Sequence, residues 1–248
     1  MPAEYELTVA SKVTLSSHML RLELTGDDLA RFPEDQESGY VKMVFPVPDG
    51  SAVLRSYTVR AFDAAAQRLV LDFVDHGDSG PASTWARQAE PGATITVRGP
   101  GEKKVVDASA DWVLIAGDLA ALPAISVNLE QLPEDARGYC LIEVPGEGDV
   151  LPLVAPIGVD VRWIVSSDPS APNQALLDGL FALDWLPGTP YPWFAGEFDA
   201  MRRVRRYFRD ERGIDRKRMY VSCYWKQGET DEGMKRAKRL DAEQDAAN

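Results

Sequence analysis

An arginine, a tyrosine and a threonine lie close together in the segment Val53–Arg60, which reads VLRSYTVR. Side chains two residues apart on a β-strand point to the same face, so Arg55 and Tyr57 are predicted to share one. A guanidinium binds phosphate oxygens in a forked geometry, an aromatic ring packs against a flat ring system, and the Thr58 hydroxyl can hydrogen-bond its edge. The segment predicts a site for an anion attached to a planar ring, although a solvent-facing strand has the same alternation.

A second candidate anion site follows the predicted strand Leu69–Val74. A loop containing His76 leads into a predicted helix that opens with Gly80-Pro81-Ala82-Ser83. Proline suits the first turn of a helix, because its missing N–H would have no intrahelical partner there. The free N–H groups of a helix N-terminus favour a phosphate, and the Ser83 hydroxyl adds a donor. His76 is either a ligand contact or an exposed loop residue, whereas Trp85 is predicted to pack in the core.

The elements that must position these residues are strands with period-two alternation, separated by Gly, Pro and Asp turns. The strands are predicted at Tyr5–Val13, Met19–Leu24, Tyr40–Phe45, Ser56–Phe62, Leu69–Val74 and Thr94–Val97. Short strands at this spacing are typical of a small antiparallel barrel, here with six strands.

Strands and helices alternate after Gly99-Pro100-Gly101, which predicts βαβ units and a parallel sheet. The predicted strands are Trp112–Ala116, Tyr139–Val144, Val161–Val165, Trp193–Ala195 and Met219–Tyr224. The predicted helices are Leu122–Leu132, Asn173–Leu183, Asp199–Arg212 with Gly213 as its C-cap, and the charged segment Asp231–Asn248. The chain is therefore predicted to form a barrel domain, residues 1–104, and an α/β domain, residues 105–248.

Candidate ligand-binding residues end the parallel strands, at the edge where open α/β sheets bind ligands. Gly117 and Asp118 close the first strand, although the G-x-G-x-x-G fingerprint is absent. Gly196 ends another strand and allows a ligand to approach the backbone. Glu197 beside it either contacts the ligand or caps the next helix.

The last strand ends with Cys223, Tyr224 and Trp225. The two aromatic side chains either cover a flat ring of a bound ligand or pack between domains. Cys223 is predicted to be a small buried residue, since free cysteine is mostly found in cores.

The chain resembles the siderophore-interacting protein family, FAD-dependent ferric-siderophore reductases with a ferredoxin-reductase-like architecture. The matching stretches are YVKMVFP (Tyr40–Pro46), RSYTVRAFD (Arg55–Asp63), LDFVDHGDSGPASTWA (Leu71–Ala86), VRGPGEK (Val97–Lys103), LIAGDLAALPAI (Leu114–Ile125) and the segment Tyr191–Gly228. The resemblance implies that FAD is held by Arg55, Ser56, Tyr57, Thr58, Asp75, His76, Gly80, Pro81, Ala82 and Ser83. It implies that NADH or NADPH is bound by the second domain, with Gly117, Asp118, Glu197, Tyr224 and Trp225 as candidate contacts.

The resemblance also suggests where an anionic ferric chelate would bind. Lys42 matches a lysine that the family places near the flavin, so Lys42 and Tyr57 are the candidate catalytic residues. Lys226, Lys235 and Arg239 form a second candidate substrate-binding cluster. The alternative for either set is that its side chains lie on an ordinary solvent-exposed face.

The composition narrows the function further. A net charge of −12 over 248 residues argues against general nucleic-acid binding. No apolar run approaches the ~20 residues that cross a bilayer. No secretory signal is evident, and the two cysteines lie far apart, which favours the cytoplasm. The two histidines are too few and too far apart to form a metal-ligand set, so no protein metal site is predicted.

The predicted activity is transfer of electrons from NAD(P)H through FAD to a ferric siderophore, with release of iron(II). Two alternatives stay open: a flavin-type reductase that serves another acceptor, and a non-catalytic siderophore-binding module. A ferredoxin is the alternative electron donor. Arg162, Ser166 and Ser167 could meet the 2′-phosphate of NADPH, but Asp168 would repel it, so the choice of nicotinamide stays open.

Overall fold

The computed structural model describes residues 3–46, 51–77, 80–229 and 231–246. The chain divides into two compact units. The first extends to Val105 and includes residues 126–131 and 146–154, and the second contains the rest. The predicted combination of an antiparallel sheet followed by a parallel sheet with helices is confirmed. Among the helices described, none has the length and apolarity needed to cross a membrane.

The first unit contains a curled antiparallel sheet of seven described strands in the order β4-β3-β7-β1-β2-β6-β5. Their bounds are β1 Ala3–Ser16, β2 Met19–Thr25, β3 Tyr40–Pro46, β4 Ala52–Thr58, β5 Ala61–Asp63, β6 Arg68–Val74 and β7 Thr94–Gly101. Register shifts at Val9/Ser11 and Thr14/Ser16 mark irregularities of the β-bulge kind in the long strand β1. Such bulges bend a strand and increase its twist, which helps the sheet to curl.

Val59 and Arg60 interrupt the segment Ser56–Phe62, which was predicted as one strand. That prediction is wrong, and so is the predicted number of six strands, because the described sheet has seven. β4 pairs with β3, whereas β5 pairs with β6. The Val59 N–H donates to Gly39 O at 2.9 Å, and the Arg60 N–H donates to Val70 O at 3.0 Å. These two residues transfer the chain between the two edges of the sheet. The alternation continues across the break, which is why a local pattern does not detect it.

The inner face of the antiparallel sheet forms the core of the first unit, together with the helix α1, Pro81–Gln88. Ala82 and Ala86 of α1 are buried in it, and Trp85 is partly buried against it, as predicted. The largest core side chains that are almost fully enclosed are Tyr5, Leu7, Leu22, Leu24, Leu29, Met43 and Phe73.

The second unit is built on a five-stranded parallel sheet in the order β10-β9-β8-β11-β12. The strands are β8 Trp112–Asp118, β9 Arg137–Val144, β10 Gly158–Val165, β11 Pro190–Glu197 and β12 Tyr220–Trp225. The helices are α2 Leu122–Gln131, α3 Gln174–Phe181, α4 Phe198–Arg206 and α5 Asp231–Ala246. The division between the units assigns the last part of α2, residues 126–131, to the first unit.

The helix predicted at Asp199–Arg212 is α4 followed by a wider π turn, Tyr207–Glu211. Gly213 ends it with a φ of 66°, a left-handed conformation that glycine adopts without strain. Met201, Val204 and Phe208 form the buried stripe of this helix.

Asp241 anchors α5 to α4 within the second unit. Its buried carboxylate accepts hydrogen bonds from Arg202 Nε at 2.9 Å and from Arg205 Nη2 at 2.7 Å. Met234 and Ala237 of α5 pack against the same core. Arg202 and Arg205 of α4 are therefore paired with a later helix.

Candidate functional site

Arg55 and Tyr57 share the inner face of the sheet at the β3–β4 pair. Their cross-strand partners are Met43 and Val41, whose side chains are fully buried. Directly opposed residues of an antiparallel pair lie on one face. Sequence alternation predicted that the arginine and the tyrosine share a face, and the register fixes which face it is.

An aromatic group joins this strand to α1. The Tyr57 and Phe73 ring centroids are 4.2 Å apart, and Trp85 lies 6.1 Å from Phe73 and 6.2 Å from Phe45. Burial raises the pKa of the Tyr57 phenol, and the nearby Arg55 charge offsets only part of this rise. Tyr57 is therefore a neutral phenol that packs against Phe73.

The turn between β6 and α1 is held by Asp75 and Ser83. The Asp75 carboxylate accepts from the Gly77 N–H at 3.0 Å, while the Ser83 hydroxyl donates to Gly77 O at 3.0 Å and accepts from the His76 N–H at 3.3 Å. The Ser83 side chain is buried. Its hydroxyl thus shapes the turn, whereas the sequence predicted it as an added donor to a phosphate. Asp78 and Ser79 of the matched segment lie outside the described residues.

The glycines of this turn leave room for a bound phosphate at the start of α1. Gly77 and Gly80 have φ values of 79° and 100°. A Cβ built on Gly77 would meet nothing within 4 Å, and one on Gly80 would meet only His76 Cε1 at 3.9 Å. Pro81 occupies the first turn of the helix. A helix start with free N–H groups beside open glycines, in the same unit as a partly buried arginine, fits the diphosphate of FAD.

Lys42 lies on the opposite face of the sheet from Arg55 and Tyr57. It pairs directly with Ser56 on β4 and with Arg98 on β7. Thr58 belongs to this outer face as well. The candidate residues of these two strands are therefore divided between two faces, a separation that the family resemblance alone did not reveal.

The carboxyl edge of the parallel sheet carries Asp118, the residue that the sequence placed there. Its Oδ2 accepts from the Trp225 indole Nε1 at 2.7 Å, and its Oδ1 accepts from the Ala120 N–H at 3.0 Å. Burial raises the pKa of Asp118 to about 6, and the nearby Glu143 contributes to the rise. Trp225 is thus fixed at this edge by a buried carboxyl group whose ionisation is disfavoured.

Asn173 connects the ends of three neighbouring strands. Its N–H and Nδ2 donate to Glu143 Oε1 at 2.9 and 3.2 Å, its Oδ1 accepts from the Glu197 N–H at 2.9 Å, and its side chain also bonds Asp118. A Cβ on Gly196 would lie 2.6 Å from Asn173 Oδ1. The glycine is therefore required by this close approach, whatever ligand binds nearby.

Sequence reasoning missed Asn173 and Glu143. Glu143 is inside a correctly predicted strand, and its second oxygen accepts from the Leu176 N–H at 2.9 Å. Asn173 has a φ of 61°. Asparagine tolerates this left-handed conformation better than most residues, so an asparagine as the first residue of a predicted helix was the available signal.

Glu197 takes the helix-capping role that the sequence left open. Its Oε2 accepts from the N–H groups of Asp199 and Ala200 at the start of α4, and its Oε1 accepts from the Gln227 N–H at 3.2 Å. Cys223 is buried, as predicted. Tyr224 has its pKa raised well above normal, mainly by burial.

The basic candidates of the second unit differ in exposure. Lys226 Nζ lies 4.7 Å from the centre of the Phe198 ring and 3.7 Å from Asp199 Oδ2. Lys235 and Arg239 are exposed on α5, four residues apart and hence on one side of the helix.

Comparison with known proteins identifies the family. Residues 110–228 match the family model described as siderophore-interacting protein, and residues 48–104 match the siderophore-interacting FAD-binding domain. An uncharacterised protein of Mycobacterium tuberculosis is 38% identical over 94% of this chain and 93% of its own length. Ferric vibriobactin reductase ViuB of Vibrio cholerae is 34% identical over 91% of this chain and 90% of its own.

Solved structures agree with this assignment. The siderophore-interacting protein SipS from Aeromonas hydrophila has a TM-score of 0.88 at 33% identity, covering 98% of this chain and 99% of its own. The FAD/NAD-binding domain of nitric oxide dioxygenase from Vibrio cholerae has a TM-score of 0.68 at 15% identity, covering 91% of this chain and 100% of its own, which bears on the fold alone. The predicted ferredoxin-reductase-like fold and the FAD cofactor are confirmed. This chain belongs to the siderophore-interacting protein family.

Proposed function

We propose that this protein is a flavin-dependent ferric-siderophore reductase that acts in the cytoplasm. Electrons enter from NADH or NADPH and reach ferric iron held in a siderophore, which leaves the chelate as iron(II). The 34% identity to an enzyme named ferric vibriobactin reductase supports this activity, as does the match to an FAD-binding domain. In this proposal residues 1–104 bind FAD and residues 105–248 bind the nicotinamide dinucleotide.

The observation that carries the proposal is the arrangement of β4 and α1 around one aromatic group. Tyr57 and Trp85 both pack against Phe73. The strand that carries Arg55 and the helix that begins after Gly80 are therefore held by the same aromatic side chain. Arg55 and the N–H groups at the start of α1 would bind the FAD diphosphate.

The other predicted FAD residues take supporting roles in this proposal. Asp75, His76 and Ser83 would hold the turn in shape, since their hydrogen bonds lie within it. Pro81 and Ala82 form the first turn of α1, and Ser56 and Thr58 would contact the cofactor from the outer face of β4.

FAD held by these residues would supply the redox chemistry, which is acceptance of a hydride from the nicotinamide and transfer of single electrons to ferric iron. The protein has to position the chelate and to attract it. In a chain of net charge −12, local cations must perform the second task. Lys42, Lys226, Lys235 and Arg239 are the proposed contacts to an anionic ferric chelate. A reduced ferredoxin is the alternative donor.

The test is anaerobic turnover by the purified, FAD-loaded protein. NADH, NADPH or reduced ferredoxin is added while the loss of oxidised flavin absorbance is followed. Ferric vibriobactin, a ferric hydroxamate or ferric citrate is then added with a chromogenic iron(II) chelator. We expect flavin reoxidation and iron(II) formation, both absent from a mixture of donor and chelate without protein.

Two outcomes would contradict the proposal. One is a purified protein that binds no FAD, which would favour a siderophore-binding module. The other is a reduced flavoprotein that leaves all three ferric chelates unreduced but passes electrons to ferredoxin or quinone.

A further inference from the structure

The carboxyl edge of the parallel sheet is lined with carboxyl groups. Asp118 ends β8 and Glu143 lies near the end of β9, and the two residues are direct neighbours in the strand register. Glu197 ends the next strand, β11, and Asp168 follows β10. This is the edge at which open α/β sheets bind dinucleotides.

The partners of these carboxyl groups are neutral donors. Glu143 accepts from the Asn173 amide and from the Leu176 N–H. Asp168 accepts from the Ser170 N–H at 2.9 Å and from its hydroxyl at 2.6 Å. These hydrogen bonds satisfy the oxygens but add no positive charge, and the cations near this edge are Lys226 and Lys238, beside Cys223.

The raised pKa of Asp118 shows the effect of this environment on a negative charge. Burial is the main cause, and the neighbouring Glu143 adds to it. A bound group that carries a further negative charge would be repelled by the ionised carboxylates of this edge. The phosphate that distinguishes NADPH from NADH is a monoester, and such a group carries roughly −1.5 to −2 charges near neutral pH.

Arg162, the cation predicted from the sequence to meet such a phosphate, is instead paired with a carboxylate of its own strand. Arg162 lies within β10 opposite Leu141 and binds Asp160 Oδ2 at 2.6 and 2.9 Å, with its guanidinium 5.2 Å from the Tyr139 ring centre. Lys226, which follows β12, is held beside Phe198 and Asp199.

We propose that this protein takes its electrons from NADH and discriminates against NADPH, because the carboxyl groups at the edge of its parallel sheet repel the 2′-phosphate. The inference deepens the proposed reductase function and rests on it. Asp168 is the specificity residue of this proposal, since it is exposed and follows the strand next to β9.

The test measures anaerobic flavin reduction by NADH and by NADPH over a range of concentrations, using the FAD-loaded full chain. We expect the ratio of reduction rate to dissociation constant to favour NADH by about tenfold or more. Added salt should shrink the preference, because it screens exposed charges beyond roughly a Debye length. Calorimetry provides a readout without turnover: adenosine 2′,5′-bisphosphate should bind more weakly than 5′-AMP.

Two charge-removing variants sharpen the test. Asp168→Asn keeps a side-chain oxygen to accept from Ser170, and we expect it to raise the efficiency with NADPH several-fold and so to narrow the preference for NADH. Asp184→Asn removes an equal exposed charge shortly before β11 begins, at the opposite edge of the sheet, and should leave the preference as it is.

Equal or better reduction by NADPH, or tighter binding of the bisphosphate, would overturn this inference and leave the reductase function standing. Failure of the chemically reduced protein to reduce any ferric chelate would instead overturn the proposed function, whichever nicotinamide is preferred.

Discussion

Trp225 donates its indole N–H to Asp118 Oδ2 at 2.7 Å, although the two residues are 107 positions apart in the sequence. Asp118 ends β8 and Trp225 ends β12, with β11 between them. The hydrogen bond therefore crosses the carboxyl edge of the sheet and fixes the position of the last strand relative to the first. It connects the proposed nicotinamide site to the segment that continues toward α5.

Replacing Trp225 with phenylalanine should destabilise the protein. The variant removes a donor from a buried carboxyl group, which costs about 1–3 kcal/mol. Urea unfolding near neutral pH measures the change. Trp163→Phe on β10, two strands away from β8, is the matched control. An equal loss in the two variants would show that the hydrogen bond to Asp118 contributes nothing specific.

Asp118 should make the protein less stable as the pH rises from about 4 to above about 6. Its pKa in the folded state, about 6, exceeds the ordinary value of 3.8 mainly because of burial. Ionisation is therefore harder in the folded state than in the unfolded state. The stabilisation is complete below the ordinary pKa and is lost as the pH passes the folded value, by up to about 3 kcal/mol.

The comparison of wild type with Asp118→Asn isolates this contribution. The amide does not ionise, so the difference in unfolding free energy between the two proteins should change across that pH range. Parallel pH profiles would contradict the raised pKa.

Asp149 should have the opposite pH dependence. Its carboxylate has no exposed surface, and it accepts from the Ser16 hydroxyl, the His18 N–H and His18 Nδ1, each at 2.8 Å. Burial alone would raise its pKa, but these hydrogen bonds outweigh burial and lower it. The stabilisation is thus present above the ordinary carboxyl pKa and is lost as the pH falls through the folded value.

Asp149→Asn should cost about 1–3 kcal/mol near neutral pH, since the amide cannot accept from all three donors. The loss should diminish in acid, where the wild-type carboxylate is protonated. Asp27→Asn, an exposed aspartate in the same unit, serves as the control and should change stability very little.

Arg55→Ala should weaken FAD binding by about 10- to 100-fold. A hydrogen bond to a charged group contributes roughly 1.5–3 kcal/mol, and about 1.4 kcal/mol corresponds to a factor of ten. Quenching of flavin fluorescence on titration of the apoprotein measures the affinity. Arg98→Ala removes a cation from the outer face of the same sheet, where it binds Glu4 at 2.6 Å, and should leave the affinity within about twofold.

Asp241→Asn should loosen α5 without unfolding the parallel sheet. The variant weakens the ion pairs to Arg202 and Arg205 that hold the helix. Hydrogen exchange followed by mass spectrometry should show faster exchange in α5 and unchanged exchange in β8 and β11. Glu243→Gln, an exposed position on the same helix, is the control. Unchanged exchange in α5 would show that Met234 and Ala237 suffice to hold it.

How well the sequence predicts each part of the candidate site depends on how far apart in the sequence the interacting residues are. The shared face of Arg55 and Tyr57 is a property of adjacent residues on one strand, and it was predictable. The opposite face of Lys42 depends on how β3 pairs with β4, which the resemblance did not supply. Ser83 was correctly placed at the start of α1, but its engagement by Gly77 and His76 depends on the fold of the turn.

The sequence by itself determined the order of the elements, the antiparallel and parallel sheets, the family and the FAD cofactor, because periodicity and family motifs are local or recur along the chain. Only the tertiary structure decided that Val59 and Arg60 divide a strand, and that Asn173 joins the ends of β8, β9 and β11. Both depend on partners that are distant in sequence. Buried polar groups must find hydrogen bonds somewhere in the folded chain, and the sequence does not state where.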